Sequence, residues 1–118
     1  MNSKILLADL KTLPIKEILS CGIGEAGGEG IKGMKAVFEV MRKRNSINGF
    51  YGCEASHVYK EPKWVWSQAG LAWRQSAKSN DTKGATHFES VDFPAPVWAK
   101  DMQRTVRIGR HQFYREIK

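Results

Sequence analysis

Two glutamates, Glu25 and Glu29, stand four residues apart in a glycine-rich stretch, residues 24–30, that reads GEAGGEG. Largely apolar segments flank this stretch at residues 15–23 and 31–41. A carboxylate held between two apolar helices is costly unless it is paired or protonated. Burial of this kind raises the pKa of a glutamate until it can donate a proton near neutral pH, as a general acid must. The alternative interpretation is a helix that ends here with two solvated glutamates.

Metal binding and nucleophilic catalysis lack their usual sequence signatures. The histidines are His57, His87 and His111, and no pair has a metal-binding spacing such as H-x-x-x-H. A zinc site that combines them with Glu25 or Glu29 is therefore disfavoured. The G-x-S-x-G, phosphate-loop and dinucleotide motifs are not completed anywhere in the chain. We therefore expect no cofactor and no metal.

The two cysteines, Cys21 and Cys53, follow no metal-ligand spacing. We predict two free thiols, one of them buried as a small apolar side chain. A disulfide is the alternative if the protein works in an oxidising compartment.

Length and charge define the class of molecule. The chain has 118 residues, enough for one domain, and we expect a single catalytic domain over residues 1–118, with a lead segment at 1–13 and a core at 14–118. A net charge of +7 indicates an anionic partner: nucleic acid, acidic lipid or an acidic cell-wall polymer. No apolar run approaches the roughly 20 residues that span a bilayer. The N-terminus does not resemble a signal peptide, so we expect synthesis in the cytoplasm.

Hydrophobic periodicity predicts helices first and short strands afterwards, which is typical of the α+β class. The predicted helices cover residues 14–26, 30–45 and 68–77, with shorter helical turns near 54–59 and 97–102. The predicted strands cover an aromatic segment at 64–66, residues 85–90 and a hairpin at 105–114. A turn is expected at residues 79–84.

Tryptophan and tyrosine are prominent. Their rings either pack in the core, line a saccharide groove or stack on single-stranded nucleic acid. The residues are Trp64, Trp66, Trp73, Trp98, Tyr51, Tyr59 and Tyr114.

The order of several short motifs resembles one known family. Residues 24–30 with the following helix resemble an E-A-x-G-E start and a helix that ends in N-R, although Lys43-Arg44 occupies that end here. Residues 81–88 (DTKGATHF) resemble D-x-x-G-A-T-x-F, and residues 96–114 resemble a tail with P-x-W, M, T and I-G-x-H-x-F-Y. The family is that of the bacterial cell-wall hydrolases related to spore-cortex-lytic enzymes.

The resemblance implies a lysozyme-like α+β fold with N-terminal helices on a small antiparallel sheet. It implies cleavage of the β-1,4 bond between N-acetylmuramic acid and N-acetylglucosamine, with Glu25 as the catalytic acid. Members act as lytic transglycosylases, which need no second catalytic carboxylate. In such a fold we expect a groove between the helix end and the sheet. The substrate-binding candidates are Glu29, Thr86, His87, His111 and Tyr114, with Tyr114 able to place its hydroxyl beside the acid.

The expected partner is therefore the glycan strand of peptidoglycan, bound by a monomer, with no specific nucleic acid and no transmembrane segment. We expect the protein to reach the wall after release or inside a virion, as a phage lysis enzyme does. The hypothesis from another class is a basic, non-enzymatic nucleic-acid-binding module, which the net charge and the aromatic residues would suit.

Overall fold

The computed structural model describes residues 10–117 as three α-helices followed by one three-stranded antiparallel sheet, which confirms the predicted α+β class. The helices are α1 (Ile15–Ala26), α2 (Gly30–Arg44) and α3 (Lys63–Ser76), and the strands are β1 (His87–Ser90), β2 (Met102–Ile108) and β3 (His111–Glu116). Short 3-10 helices occur at Leu10–Thr12, Gly27–Glu29, Tyr51–Glu54, Ser56–Lys60 and Val97–Asp101. Most of the predicted lead segment, residues 1–9, lies outside the described residues.

Helices α1 and α2 form where the apolar periodicity predicts them. The apolar stripe of α2 is fully buried at Met34, Val37, Phe38 and Met41 and partly buried at Ile31. The helix ends at Asn45, which adopts the left-handed conformation with φ 53° that commonly stops a helix. Between α1 and α2, the glycine-rich stretch forms one 3-10 turn at Gly27–Glu29. Glu25 therefore stands in the last turn of α1, and Glu29 directly precedes α2.

The predicted strand at residues 64–66 is wrong, because this segment is the first turn of α3. Val65, Ala69, Ala72 and Ser76 are buried at spacings of four, three and four residues, which is the helical period. The proline at position 62 suits a helix start, since the backbone N–H that it lacks would have no partner there. Three residues are too few to distinguish a strand from the start of a helix, and the aromatic residue types favoured the wrong alternative.

The two cysteines form a disulfide between α1 and the Tyr51–Glu54 turn, so the prediction of two free thiols is wrong. Cys21 is fully buried on α1. The bond joins residues 32 positions apart, and a disulfide of that span typically stabilises a fold by about 2–4 kcal/mol. It therefore fixes the turn that follows α2 against the C-terminal half of α1.

The sheet has the strand order β1-β3-β2, which leaves β1 at one edge. The predicted hairpin forms between β2 and β3, and its Gly109 has the positive φ, 59°, that a two-residue hairpin turn requires. Phe113 and Ile108 join the helices in one hydrophobic core. No helix within residues 10–117 has the length and apolar character needed to cross a membrane.

A buried carboxylate shapes the loop before β1. Glu39 on α2 accepts hydrogen bonds from the backbone N–H of Asp81 (3.0 Å) and of Thr82 (2.9 Å). It also accepts hydrogen bonds from the hydroxyl groups of Thr82 and Ser79. The predicted turn at residues 79–84 is thus present and is held on α2, which sets the position of the strand that follows.

Candidate active site

Glu25 lies in the last turn of α1, as predicted, and its carboxylate is held by the turn at Tyr51–Glu54. The backbone N–H of Gly52 donates to Glu25 Oε2 over 2.7 Å. This contact joins residues 27 positions apart and leaves the side chain partly exposed. A carboxylate fixed by one backbone donor and open to solvent on its other side can reach a bound substrate.

The contact depends on a close approach of two backbones. A Cβ atom on Gly24 would lie 1.8 Å from the carbonyl oxygen of Gly52, and one on Gly52 would lie 2.5 Å from the carbonyl carbon of Gly24. Any side chain at either position would push the turn away from α1. The adjacent Cys21–Cys53 disulfide holds the same two segments together.

Glu25 lies in a cleft of about 330 Å³ between the helical part and the edge strand β1. The cleft is lined from the helical side by Glu25, Arg44, Gly49 and Tyr51, and from the sheet side by His87, Phe88, Glu89, Ser90, Trp98 and His111. All four residues of β1 line the cleft, although their side chains point alternately to the two faces of the sheet. The cleft therefore follows the free edge of the strand. It contains acidic, basic and aromatic side chains together.

The two faces of β1 have different neighbours. His87 pairs with Tyr114 in the register of β1 and β3, whereas Phe88 pairs with Phe113. The centre of the Phe88 ring lies 5.7 Å from that of Phe50 and 5.6 Å from that of Phe113. This face of the sheet therefore packs against the hydrophobic core. Phe88 is partly buried against the hydrophobic core, and it also lines the cleft.

The His87 face is covered by the 3-10 helix at Val97–Asp101. The Trp98 ring lies 5.1 Å from His87 and 5.2 Å from Tyr114. Burial lowers the pKa of His87 below its usual value, and the charge of Arg44 lowers it further, against a smaller opposing effect of Glu116. His87 is therefore a neutral hydrogen-bonding group at neutral pH.

His111 and Glu29 form a pair behind the cleft. His111 is buried, and its Nδ1 lies 3.0 Å from Glu29 Oε2. The other oxygen of Glu29 accepts the backbone N–H of Arg110 over 3.0 Å, and a Cβ atom on Gly109 would collide with it. Glu29 thus ties the α1–α2 connection to the tip of the hairpin and orients His111. His111 lines the cleft, whereas Glu29 is not among its lining residues.

Thr86 and Tyr114 lie outside the cleft lining, unlike the groove predicted from the sequence. The Thr86 hydroxyl lies 2.9 Å from His87 Nδ1 and so orients that ring. Tyr114 is buried, and its hydroxyl donates to Glu89 Oε2 over 2.7 Å instead of standing beside Glu25. Burial raises the pKa of the Tyr114 phenol, and the Glu89 carboxylate raises it further.

Glu89, Gly52 and Tyr51 are site residues that the sequence analysis did not identify. Glu89 follows His87 by two positions, so strand alternation could have placed it on the His87 face. Gly52 has no sequence signal, because its role is a contact with a helix 27 residues away. In the sequence Tyr51 is one of several aromatic residues, and nothing local distinguishes it from the others.

Within residues 10–117, no group of three or more His, Cys, Asp or Glu side chains is arranged to hold a metal ion. No family model, no curated protein and no solved structure matches this chain.

Proposed function

We propose that the protein is a peptidoglycan glycosidase that cleaves the β-1,4 bond between N-acetylmuramic acid and N-acetylglucosamine with Glu25 as general acid and base. The observation that carries the proposal is the Glu25 carboxylate, held 2.7 Å from the Gly52 N–H in a cleft edged by β1. A carboxyl group that is positioned within a concave site with aromatic and polar walls is what a general acid acting on a bound glycan requires. We further propose that the α+β fold is lysozyme-like, with the acid at a helix end opposite a small sheet.

The reaction needs one proton donor that later accepts a proton. Glu25 donates its proton to the glycosidic oxygen as the bond from that oxygen to C1 of the muramic acid breaks. The 6-hydroxyl of the same muramic acid then attacks C1 and returns its proton to Glu25. The products are a free N-acetylglucosamine 4-hydroxyl and a 1,6-anhydro ring, and the enzyme is regenerated without water.

The sheet side of the cleft supplies groups suited to holding the sugar. His87 is neutral, oriented by Thr86, and lies beside the Trp98 ring. An imidazole of this kind can donate or accept a hydrogen bond to a hydroxyl or N-acetyl group. His111, oriented by Glu29, places a second imidazole in the cleft from the opposite face of the sheet.

Hydrolysis of the same bond is the alternative to transglycosylation, and Glu89 is the residue that would make it possible. It is a second carboxylate in the cleft, and Tyr114 fixes one of its oxygens. Glycosidases that use water pair an acid with a second carboxylate as base or nucleophile. The transglycosylase is the version that we propose, because it needs Glu25 alone, and the two versions leave different products.

Mass spectrometry of the fragments released from purified murein sacculi tests the proposal. We expect muropeptides with 1,6-anhydro ends, each lighter by one water than the hydrolysis product. Fragments with reducing ends alone would replace the transglycosylase with a hydrolase that uses Glu89. Release of peptides without glycan cleavage, or no release at all, would contradict the glycosidase itself.

The proposal also covers how the basic protein is attracted to the cell wall and how it reaches it. A net charge of +7 draws the protein to anionic wall polymers as a rate effect that salt weakens. Release at phage lysis or carriage in a virion would bring it to the wall.

A further inference from the structure

A second and larger cavity adjoins the cleft on the side of Tyr51. It has a volume of about 670 Å³, about twice that of the cleft that holds Glu25. Gly49 and Tyr51 line both cavities, so the two are neighbours across one short segment of chain. The second cavity is bounded further by α1 and by the turns that follow α2.

Two exposed aromatic rings line this second cavity. Tyr51 is 88% exposed and Tyr59 is 60% exposed, although both lie on 3-10 turns of the helical part. The ring surface that stays in water does not stabilise the fold, whereas burying it would be favourable. Aromatic rings that stay exposed within a concave surface indicate a binding site.

The backbone that carries Tyr51 is tied down, and the Tyr59 ring has packing partners although it is not buried. Tyr51 directly precedes Gly52, which donates to Glu25, and Cys53, which is bonded to Cys21. The Tyr59 ring lies 6.0 Å from Trp66, and Lys16 Nζ lies 5.4 Å from its centre. The Tyr59 ring and the backbone at Tyr51 therefore lose less conformational entropy than free groups would when a ligand binds.

Polar groups surround these rings. The cavity is also lined by Lys16, Glu17, Asn48 and Glu54. A flat apolar ring with hydrogen-bonding groups at its edge matches a pyranose sugar, which has C–H groups on its faces and hydroxyls around its rim. A lipid would instead need a continuous apolar surface, and a nucleic acid would need cations without the two carboxylates.

We infer that the cavity between Tyr51 and Tyr59 binds further sugar units of the glycan strand whose cleaved bond lies at Glu25. This inference rests on the proposed function and extends it: the protein binds a chain of several sugars across both cavities. A linear polymer bound at Glu25 must leave the cleft at one end, and the shared residues Gly49 and Tyr51 lead it into the larger cavity. The protein therefore prefers long glycans to short ones.

Binding of β-1,4-linked N-acetylglucosamine oligomers to the full chain carrying Glu25→Gln measures this preference without cleavage. We expect the hexamer to bind more tightly than the dimer. Tyr59→Ala and Tyr51→Ala should each weaken hexamer binding by about two- to tenfold, which is the usual contribution of one aromatic contact. Tyr59→Phe keeps the ring and should retain most of the hexamer affinity.

Phe93→Ala is the matched control, because Phe93 is 71% exposed and lines neither cavity. The substitutions of Tyr51, Tyr59 and Phe93 change exposed side chains and should leave the fold intact. Equal affinities for hexamer and dimer, or hexamer affinities unchanged by Tyr59→Ala and Tyr51→Ala, would overturn the inference. Glycan cleavage by the unsubstituted protein would then still support the proposed function, so the two failures are distinguishable.

Discussion

The chemistry proposed for this protein depends on one carboxylate and on what holds it. The position of Glu25 at the end of α1 could be predicted, because the apolar stripe of α1 and the glycines after it define where the helix ends. The donor that holds it could not be predicted. Gly52 reaches Glu25 through a fold-dependent approach of two backbones, and no local pattern around a single glycine reports such a contact.

The cleft histidine His87 predicts a measurable pH dependence of stability. Its pKa in the folded protein is lowered by burial first and by Arg44 second, below the ordinary value of 6.5. As the pH falls below 6.5, the unfolded chain therefore binds a proton on this side chain before the folded protein does. We expect the free energy of unfolding to fall in this range, and the His87 resonances to titrate with a midpoint below 6.5.

Substitution of this histidine isolates its contribution. His87→Gln removes the titrating group, so the loss of stability as the pH falls below 6.5 should be smaller than in the unsubstituted protein. Thermal unfolding at several pH values measures the difference. A midpoint at or above 6.5 in the NMR titration, or identical pH profiles for the two proteins, would show that burial does not govern this group.

Glu89 shows what residue-level analysis of the sequence could have added. Strand alternation across residues 85–90 puts His87 and Glu89 on one face, and both line the cleft. The sequence does not reveal that Tyr114 would bond to Glu89 and not stand beside Glu25. That outcome depends on the register His87 to Tyr114, which places the buried phenol on the face covered by Trp98.

At the scale of elements, the sheet is positioned by a helix through a buried carboxylate. Glu39 on α2 is 7% exposed and accepts hydrogen bonds from the loop that leads into β1. In the sequence it stands among the exposed charges of α2, so its burial could not be predicted from helical periodicity alone. The loop at residues 79–82 folds onto α2 and encloses it.

Removal of this carboxylate should destabilise the fold. Glu39→Ala leaves the buried N–H of Thr82 without its acceptor and removes the acceptor of Asp81. Each buried donor that loses its partner costs about 1–3 kcal/mol, so we expect the free energy of unfolding to fall by at least about 2 kcal/mol.

Urea denaturation with Lys32→Ala as the control measures this loss. Lys32 is exposed on the same helix, and its substitution should change stability by no more than about 0.5 kcal/mol. If Glu39→Ala were as stable as Lys32→Ala, the loop would be held by other contacts than this carboxylate.

At the scale of the whole molecule, two covalently linked segments build the site. The Cys21–Cys53 bond joins α1 to the Tyr51–Glu54 turn, beside the Gly24 and Gly52 contact. The prediction of two free thiols is wrong because cysteine spacing carries no information on which loops meet in space. The α+β class and the two long helices were predictable because they follow from periodicity. The order β1-β3-β2 and the cleft along the edge of β1 follow instead from long-range pairing.

The rate of glycan cleavage in sacculi by Glu25→Gln, compared with the unsubstituted protein, tests the central claim most directly. Glutamine keeps the size of the side chain, but its amide has no acidic proton that can be transferred to the glycosidic oxygen. Glu61→Gln is the control: Glu61 lies beside His57 outside the cleft, and its substitution should leave the rate unchanged. We predict that Glu25→Gln, with an unchanged unfolding transition, loses about 10²- to 10⁴-fold in rate. Cleavage at a near-normal rate by folded Glu25→Gln protein would contradict the claim that Glu25 is the catalytic acid.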